Sequence, residues 1–383
     1  MTFSRLLAAA LFTAAVASAT PDLFAAALPA ESAIQAADLQ KDITFLASDA
    51  MEGRNTAGGK LEGPVTDYLE AEFKKIGLEP GGVTGYRQPW RYAGWGSRDL
   101  AGFAAAKGIQ AHDHAADLAG TPHVPASEFG ARVNEGGLAY GPDGLPTSIE
   151  PVDGAPTLAS AEPNTHNLIG IVRGSDLTDQ WVVIGAHMDH IGKSNWGADK
   201  INNGADDNAS GSSSLLAVAR ALAAAKAAGA GPRRNVLLIW FAGEEKGLLG
   251  SQYFVGHPTI PLEKVKAMLN VDMTGRLEPD KVSCGDEAPA GMANLFHPMH
   301  DVEGLGFKPI AHDIDQYMHR SDQYSFFKHN IPVIFFFEGL TAEGELNPDY
   351  HRPSDEVSKI DFDKAARIAK LMFRHVIKAA NLN

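Results

Sequence analysis

An α/β fold built on a mostly parallel sheet is predicted by three features of the sequence. Short, unbroken apolar runs recur at 167–172, 181–186, 235–241, 267–271 and 332–337. They do not alternate, as expected of strands buried on both faces. Segments of helical periodicity lie between several of them, the pattern of strand–helix–strand units. Histidines and carboxylates follow the ends of these runs, and ligands in such sheets bind beyond the carboxyl ends of the strands.

The chain begins MTFSRLLAAALFTAAVASAT. Arg5, an apolar stretch of about eleven residues over 6–16, and Ala17-Ser18-Ala19 read as a signal peptide, too short to span a bilayer. Cleavage is expected after Ala19, with Ala27 as a second position, so the mature chain is expected to be exported to a periplasm or the exterior. Residues 20–85 form the N-terminal part of the main domain. There Leu39, Ile43 and Leu46 recur at helical steps. After the Gly-rich loop SDAMEGRNTAGGKLEG, so do Val65, Leu69, Phe73 and Ile76, with Gly77 as the stop. Residues 86–166 are rich in Gly and Pro, lack periodicity, and are expected to be an insertion: a lid or a small β-rich subdomain. Its His112-Asp113-His114 triplet reads as a solvated loop, because nothing nearby completes a coordination shell.

Residues 167–383 carry the regular pattern. The first two runs are joined by the turn Gly174-Ser175-Asp176. An Ala-rich helix over 212–228 follows, with Leu215, Val218 and Leu222 on one face. A helix is expected over 246–255, and a last one capped by Asp361 with Ile368, Leu371, Met372 and Val376 as its apolar stripe.

Composition narrows the function. With 44% hydrophobic residues in 383, the chain can bury a large core. Acidic residues outnumber basic ones by 47 to 33, a formal charge of −14, which argues against a nucleic-acid partner. Cys284 is the only cysteine, so an internal disulfide and a thiolate zinc site are excluded. A metal would have to be held by His, Asp and Glu.

The strand ends offer that set. VVIGA is followed by His187 and Asp189, NVLLIWFAG by Glu244 and Glu245, AMLNV by Asp272, and PVIFFFEGL by a loop carrying Tyr350 and His351. The turn GADDNASG adds Asp206 and Asp207. Such ligands suit zinc or a similar divalent ion. Three carboxylates and two neutral imidazoles are balanced by two zinc ions and a bridging hydroxide, the arrangement in which paired metals acidify a shared water. One carboxylate should stay off the metals as general base; Glu244 and Glu245, adjacent in sequence, can divide those roles.

HMDH, GADDNASG, FAGEEKGLLGS, NVDMTGR, HRSDQYSFF and DYHRPSDE together resemble the co-catalytic di-zinc aminopeptidases, the family of bacterial leucyl aminopeptidases, aminopeptidase Y and glutamate carboxypeptidase II. The resemblance covers roughly 36–82 and 167 to the C-terminus. It implies a zinc-exopeptidase fold, a mixed sheet sandwiched by helices. It implies that Asp207 bridges two zinc ions beside a possible cis peptide to Asn208. His187 and Asp272 would complete one zinc site, and Glu245 and His351 the other. Glu244 would be the general base, Asp189 the group orienting His187, and Tyr350 a hydrogen-bond donor to the reacting carbonyl. His190, Asp206 and Asp355 would be supporting groups. The 86–166 segment departs from the family pattern, being short for a protease-associated domain. The implied activity is removal of N-terminal residues from peptides. Other readings are a carboxypeptidase or dipeptidase of the same family, a single-zinc glutaminyl cyclase, and a non-catalytic relic.

Overall fold

A computed structural model describes residues 23–56, 59–91, 139–140, 146–148, 163–194, 197–276, 278–292, 302–311, 313–341 and 343–382. The signal-peptide expectation and the His112-Asp113-His114 triplet lie outside them, as does most of the expected insertion. Strands β1 (Glu79–Pro80) and β2 (Arg87–Trp90) precede a separate two-stranded pair, β3 (Ala139–Tyr140) and β4 (Pro146–Ser148). The main sheet continues with β5 (Thr165–Val172), β6 (Leu177–His187), β7 (Arg234–Phe241), β8 (Val265–Asp272), β9 (Cys284–Glu287) and β10 (Val333–Phe337).

The sheet order is β1-β5-β7-β6-β8-β10-β9, with β2 alongside β5. The four central strands β7, β6, β8 and β10 are parallel. Strand β5 is antiparallel to β7, and β1, β2 and β9 pair antiparallel at the margins. The expected mixed sheet is borne out, with its parallel part in the middle. Strands β5 and β6, joined by a short turn, are not neighbours: β7 lies between them. The uninterrupted apolar runs suit the central positions, where both faces are covered.

Alternate residues of each strand feed two cores. Val182, Ile184, Val236, Leu238, Trp240, Leu269 and Phe336 face one side; Val183, Leu237, Ile239, Phe241, Met268, Phe335 and Phe337 face the other. On the first side pack helices Ala36–Leu46, Thr66–Ile76, Gly211–Ala227 and Phe362–Asn381. On the second pack the shorter Leu249–Gly256 and Gln323–Phe327, through Phe254 and Phe326. The predicted helix signals recur here. Gly77 closes Thr66–Ile76 in the left-handed region, and the Asp361 side chain accepts from the Lys364 N–H at 2.9 Å to start the last helix. Among the described residues, no helix is long and apolar enough to cross a membrane.

Candidate metal centre

Strand register delivers the candidate ligands to one sheet edge. His187, the last residue of β6, is level with Phe241 of β7. Asp272, the last of β8, is level with Phe337 of β10. Beyond β7 the chain turns at Gly243, whose φ is 69° and whose Cβ, if present, would lie 2.8 Å from the Trp90 ring. Glu244 and Glu245 then open a single helical turn. The acidic turn enters through Gly204, also left-handed (φ 57°) and packed against the His190 ring. The Asp207–Asn208 peptide is cis. The Asp355 carboxylate accepts the backbone N–H groups of Asp206 and Asp207, each at 3.0 Å, and fixes this turn.

Two clusters of ligand atoms meet at Asp207. His187 Nε2 lies 3.3 Å from Asp272 Oδ1 and 3.4 Å from Asp207 Oδ1. On the other side, His351 Nε2 lies 3.2 Å from Asp207 Oδ2 and 3.0 Å from Glu245 Oε2. His190 joins this second cluster. Each Asp207 oxygen thus faces a different histidine, and Oδ2, fully buried, makes no hydrogen bond among the described residues.

The electrostatics are those of a pocket short of positive charge. Burial alone would lower His187, but the Asp272 and Glu244 carboxylates outweigh it and raise it well above the ordinary imidazole range. Burial also opposes protonation of His351, yet Glu245 and Asp207 push it up to about 10. Burial, with neighbouring carboxylates, raises Glu244 well above the usual range and raises Asp272 as well. Asp322, buried close by, is pushed up to about 7 for the same reasons. A donor set of buried imidazoles and carboxylates, gathered about the two oxygens of Asp207, fits divalent metal such as zinc.

All five residues expected to hold metal, His187, Asp207, Glu245, Asp272 and His351, come together here, although they span 165 positions. Glu244 and Tyr350 line the adjoining cavity with Tyr317, Arg320, Phe335, Phe337 and Leu346. Tyr350 stacks on His351 with ring centroids 3.8 Å apart. Asp189 lies under His187, but its carboxylate is 3.7 Å from His187 Nδ1, and the nearer acceptor is its backbone carbonyl at 3.2 Å. The carboxylate instead accepts from Thr56 Oγ1 at 2.9 Å and from the Glu244 N–H at 3.1 Å. It therefore positions the Glu244 backbone as well as backing the histidine.

Three further supports have roles that sequence reasoning did not assign. Thr56 Oγ1 also accepts the Gly243 N–H at 2.9 Å, linking the early loop to the turn before Glu244. Arg54, 1% exposed, donates to the carbonyls of Leu46, Met188, Asn203 and Gly204 at 2.7–3.1 Å. Ser321 donates to Asp272 Oδ2 at 3.1 Å. Arg54 and Thr56 sit in a loop whose glycines signal only a turn; an arginine in such a loop carries no sequence signal of burial.

Residues 167–376, more than half of the 383, match Peptidase family M28. The chain belongs to that family. This M28 chain is 34% identical over 196 residues to a probable leucine aminopeptidase of Arthroderma benhamiae, covering 51% of this chain and 53% of the relative. It thus spans about half the length of that relative. Among solved structures, its fold is similar to LapA of Legionella pneumophila (TM-score 0.59, 20% identity, 93% of this chain and 76% of LapA). It is also similar to BSAP, a zinc aminopeptidase from Bacillus subtilis (TM-score 0.57, 18% identity, 91% and 96%). The M28 match leaves out the loop of Arg54 and Thr56, which holds the centre from outside.

Proposed function

We propose that this chain is a zinc-dependent exopeptidase that removes N-terminal residues from peptides and uses two zinc ions. The observation that carries the two-ion reading is Asp207, with one oxygen directed to each cluster. His187, Asp207 and Asp272 would hold one ion; Asp207, Glu245 and His351 the other. Bound in this way, zinc would supply Lewis acidity toward the scissile carbonyl and lower the pKa of water toward 7.

Glu244 is the group suited to moving the proton. It lines the cavity and stays out of both clusters. It takes the proton of the attacking water and returns it to the departing amine. Asp189 fixes it through its backbone N–H. The Tyr350 phenol is kept protonated by burial and by the Asp207 charge, so it donates a hydrogen bond to the carbonyl oxygen as negative charge develops there. Phe335, Phe337, Leu346 and Tyr317 give the cavity an apolar wall, suited to an apolar substrate side chain. The leader at 6–16 with its small-residue end supports export of the mature chain.

Arg320 favours a second reading. Its guanidinium lines the same cavity, 5.4 Å from the Tyr317 ring centroid. There it could clasp a substrate carboxylate, as in a dipeptidase. One experiment tests both: cleavage of aminoacyl chromogenic substrates, N-blocked peptides and free dipeptides, with and without chelator, alongside metal analysis. The expected result is cleavage of free-amine substrates only, lost on chelation and restored by zinc, with two ions per chain. Activity restricted to dipeptides favours the second reading, and activity indifferent to chelation removes the metal from both.

A further inference from the structure

The second cluster contains a histidine to which the mechanism gives no role. His190 is fully buried three residues beyond His187, and its Nδ1 lies 2.8 Å from Glu245 Oε1 and 3.8 Å from Asp207 Oδ2. Glu245 divides its oxygens: Oε2 faces His351 at 3.0 Å, and Oε1 faces His190. Ligand atoms bound to one zinc at about 2.0–2.2 Å in a tetrahedron lie about 3.3–3.6 Å from one another. His351 Nε2 lies 3.2 Å from Asp207 Oδ2, close to that spacing, and 3.0 Å from Glu245 Oε2, somewhat inside it. The shorter His190 contact is the length of a hydrogen bond to a carboxylate, and it falls on the oxygen the ion would leave over.

Ring packing supports the same assignment. The His190 backbone N–H donates to the Arg54 carbonyl at 3.2 Å, and Gly204 lies so close that a Cβ there would be 2.6 Å from the ring. His190 Nε2 is buried and has no hydrogen-bond partner among the described residues. A proton on Nε2 would be a buried donor without an acceptor and would set the bare Nδ1 against a carboxylate oxygen. A proton on Nδ1 meets an acceptor. We infer that His190 is a positioning residue whose Nδ1–H holds Glu245 Oε1 and turns Oε2 toward the ion shared with His351 and Asp207. The inference rests on the two-ion reading above. Since Ser321 supports Asp272 separately, His190 should govern one ion of the pair.

The test is zinc titration of metal-free protein against a chromophoric chelator, for the unsubstituted chain, His190→Phe and His190→Asn. Phe fills the ring volume without its N–H; the Asn amide places an N–H near the position of Nδ1. Circular dichroism of the metal-free variants checks folding. Loss of a hydrogen-bonded support for a metal ligand typically costs 10–100-fold in affinity. His190→Phe is therefore expected to weaken one of the two zinc sites by that factor and leave the other unchanged, and His190→Asn to recover most of the loss. Equal affinities in His190→Phe and the unsubstituted chain overturn the assignment. So does a His190→Asn protein as weak as His190→Phe, with one nitrogen ligand fewer by X-ray absorption, because His190 would then bind zinc directly. One ion per unsubstituted chain defeats the two-ion reading and this assignment with it; two ions with unaltered affinities defeat this assignment alone.

Discussion

Glu244 and Glu245 are neighbours with the same side chain and opposite electrostatics. Burial raises both, but His351 and His190 outweigh it at Glu245 and hold that carboxyl well below the usual range. Glu244, facing Glu245, Asp322 and Asp272, is left raised. This difference suits the roles proposed above, a charged carboxylate toward metal and one of raised proton affinity toward water. Glu244→Gln keeps the size and removes the proton acceptor. It is expected to retain metal content and circular dichroism while lowering kcat at least ~10²-fold, the usual contribution of a positioned acid–base group. Near-normal turnover in a fully metal-loaded variant would take Glu244 out of the mechanism.

Elements were legible in the sequence where burial is strong. The four central strands appear there as unbroken apolar runs because both of their faces are covered. The strands β1, β2 and β9 did not, being two to four residues long at the sheet margin. Packing between helices was equally hidden, and its main polar device is a network at Glu72. Lys41, Lys75 and Arg220 donate to this carboxylate, and Arg220 also donates to Asp42, so that helices Ala36–Leu46, Thr66–Ile76 and Gly211–Ala227 are tied together. Burial alone would raise Glu72, but these bonds hold it down at about 2, against an ordinary 4.5. A depressed folded-state pKa gives stability that is present above the unfolded value and lost as pH falls through the folded one. Glu72→Gln should therefore be less stable than the unsubstituted chain at neutral pH, and the gap should close between pH 4.5 and about 2. Urea denaturation across that range checks it; a gap of the same size at both ends would show that the carboxylate charge is not what binds the helices.

At the scale of the whole molecule, the candidate ligands and the supports beside them, Asp189 and Asp355, were legible in the sequence, and the support from the early loop was not. His187, Glu245, Asp272 and His351 follow strands or their loops, so chain order alone gathers them at one edge. Arg54 reaches the centre from more than a hundred residues away, and only the folded chain reveals why it is there. Its guanidinium joins Leu46, at the end of the first long helix, to Met188, Asn203 and Gly204 around the acidic turn. Burial lowers it to about 10, with Asp207, Asp355, Asp189 and Glu245 acting the other way, so it remains a cation at neutral pH beside a pocket of carboxylates. Two functions are combined there, bonding and charge, and they respond differently to metal. Zinc can replace the charge but not the bonds to four carbonyls. Arg54→Met is expected to cost about 3–5 kcal/mol, the scale for breaking a buried charged contact, with zinc present as well as with chelator. Arg54→Lys should recover only part of this, since an ammonium lacks the planar fork. Guanidinium denaturation of each variant with and without zinc makes the distinction. A loss confined to the chelated protein would reduce Arg54 to charge balance, and a loss below about 1 kcal/mol in both, within the range of an ordinary surface contact, would mean the early loop does not hold the metal centre together.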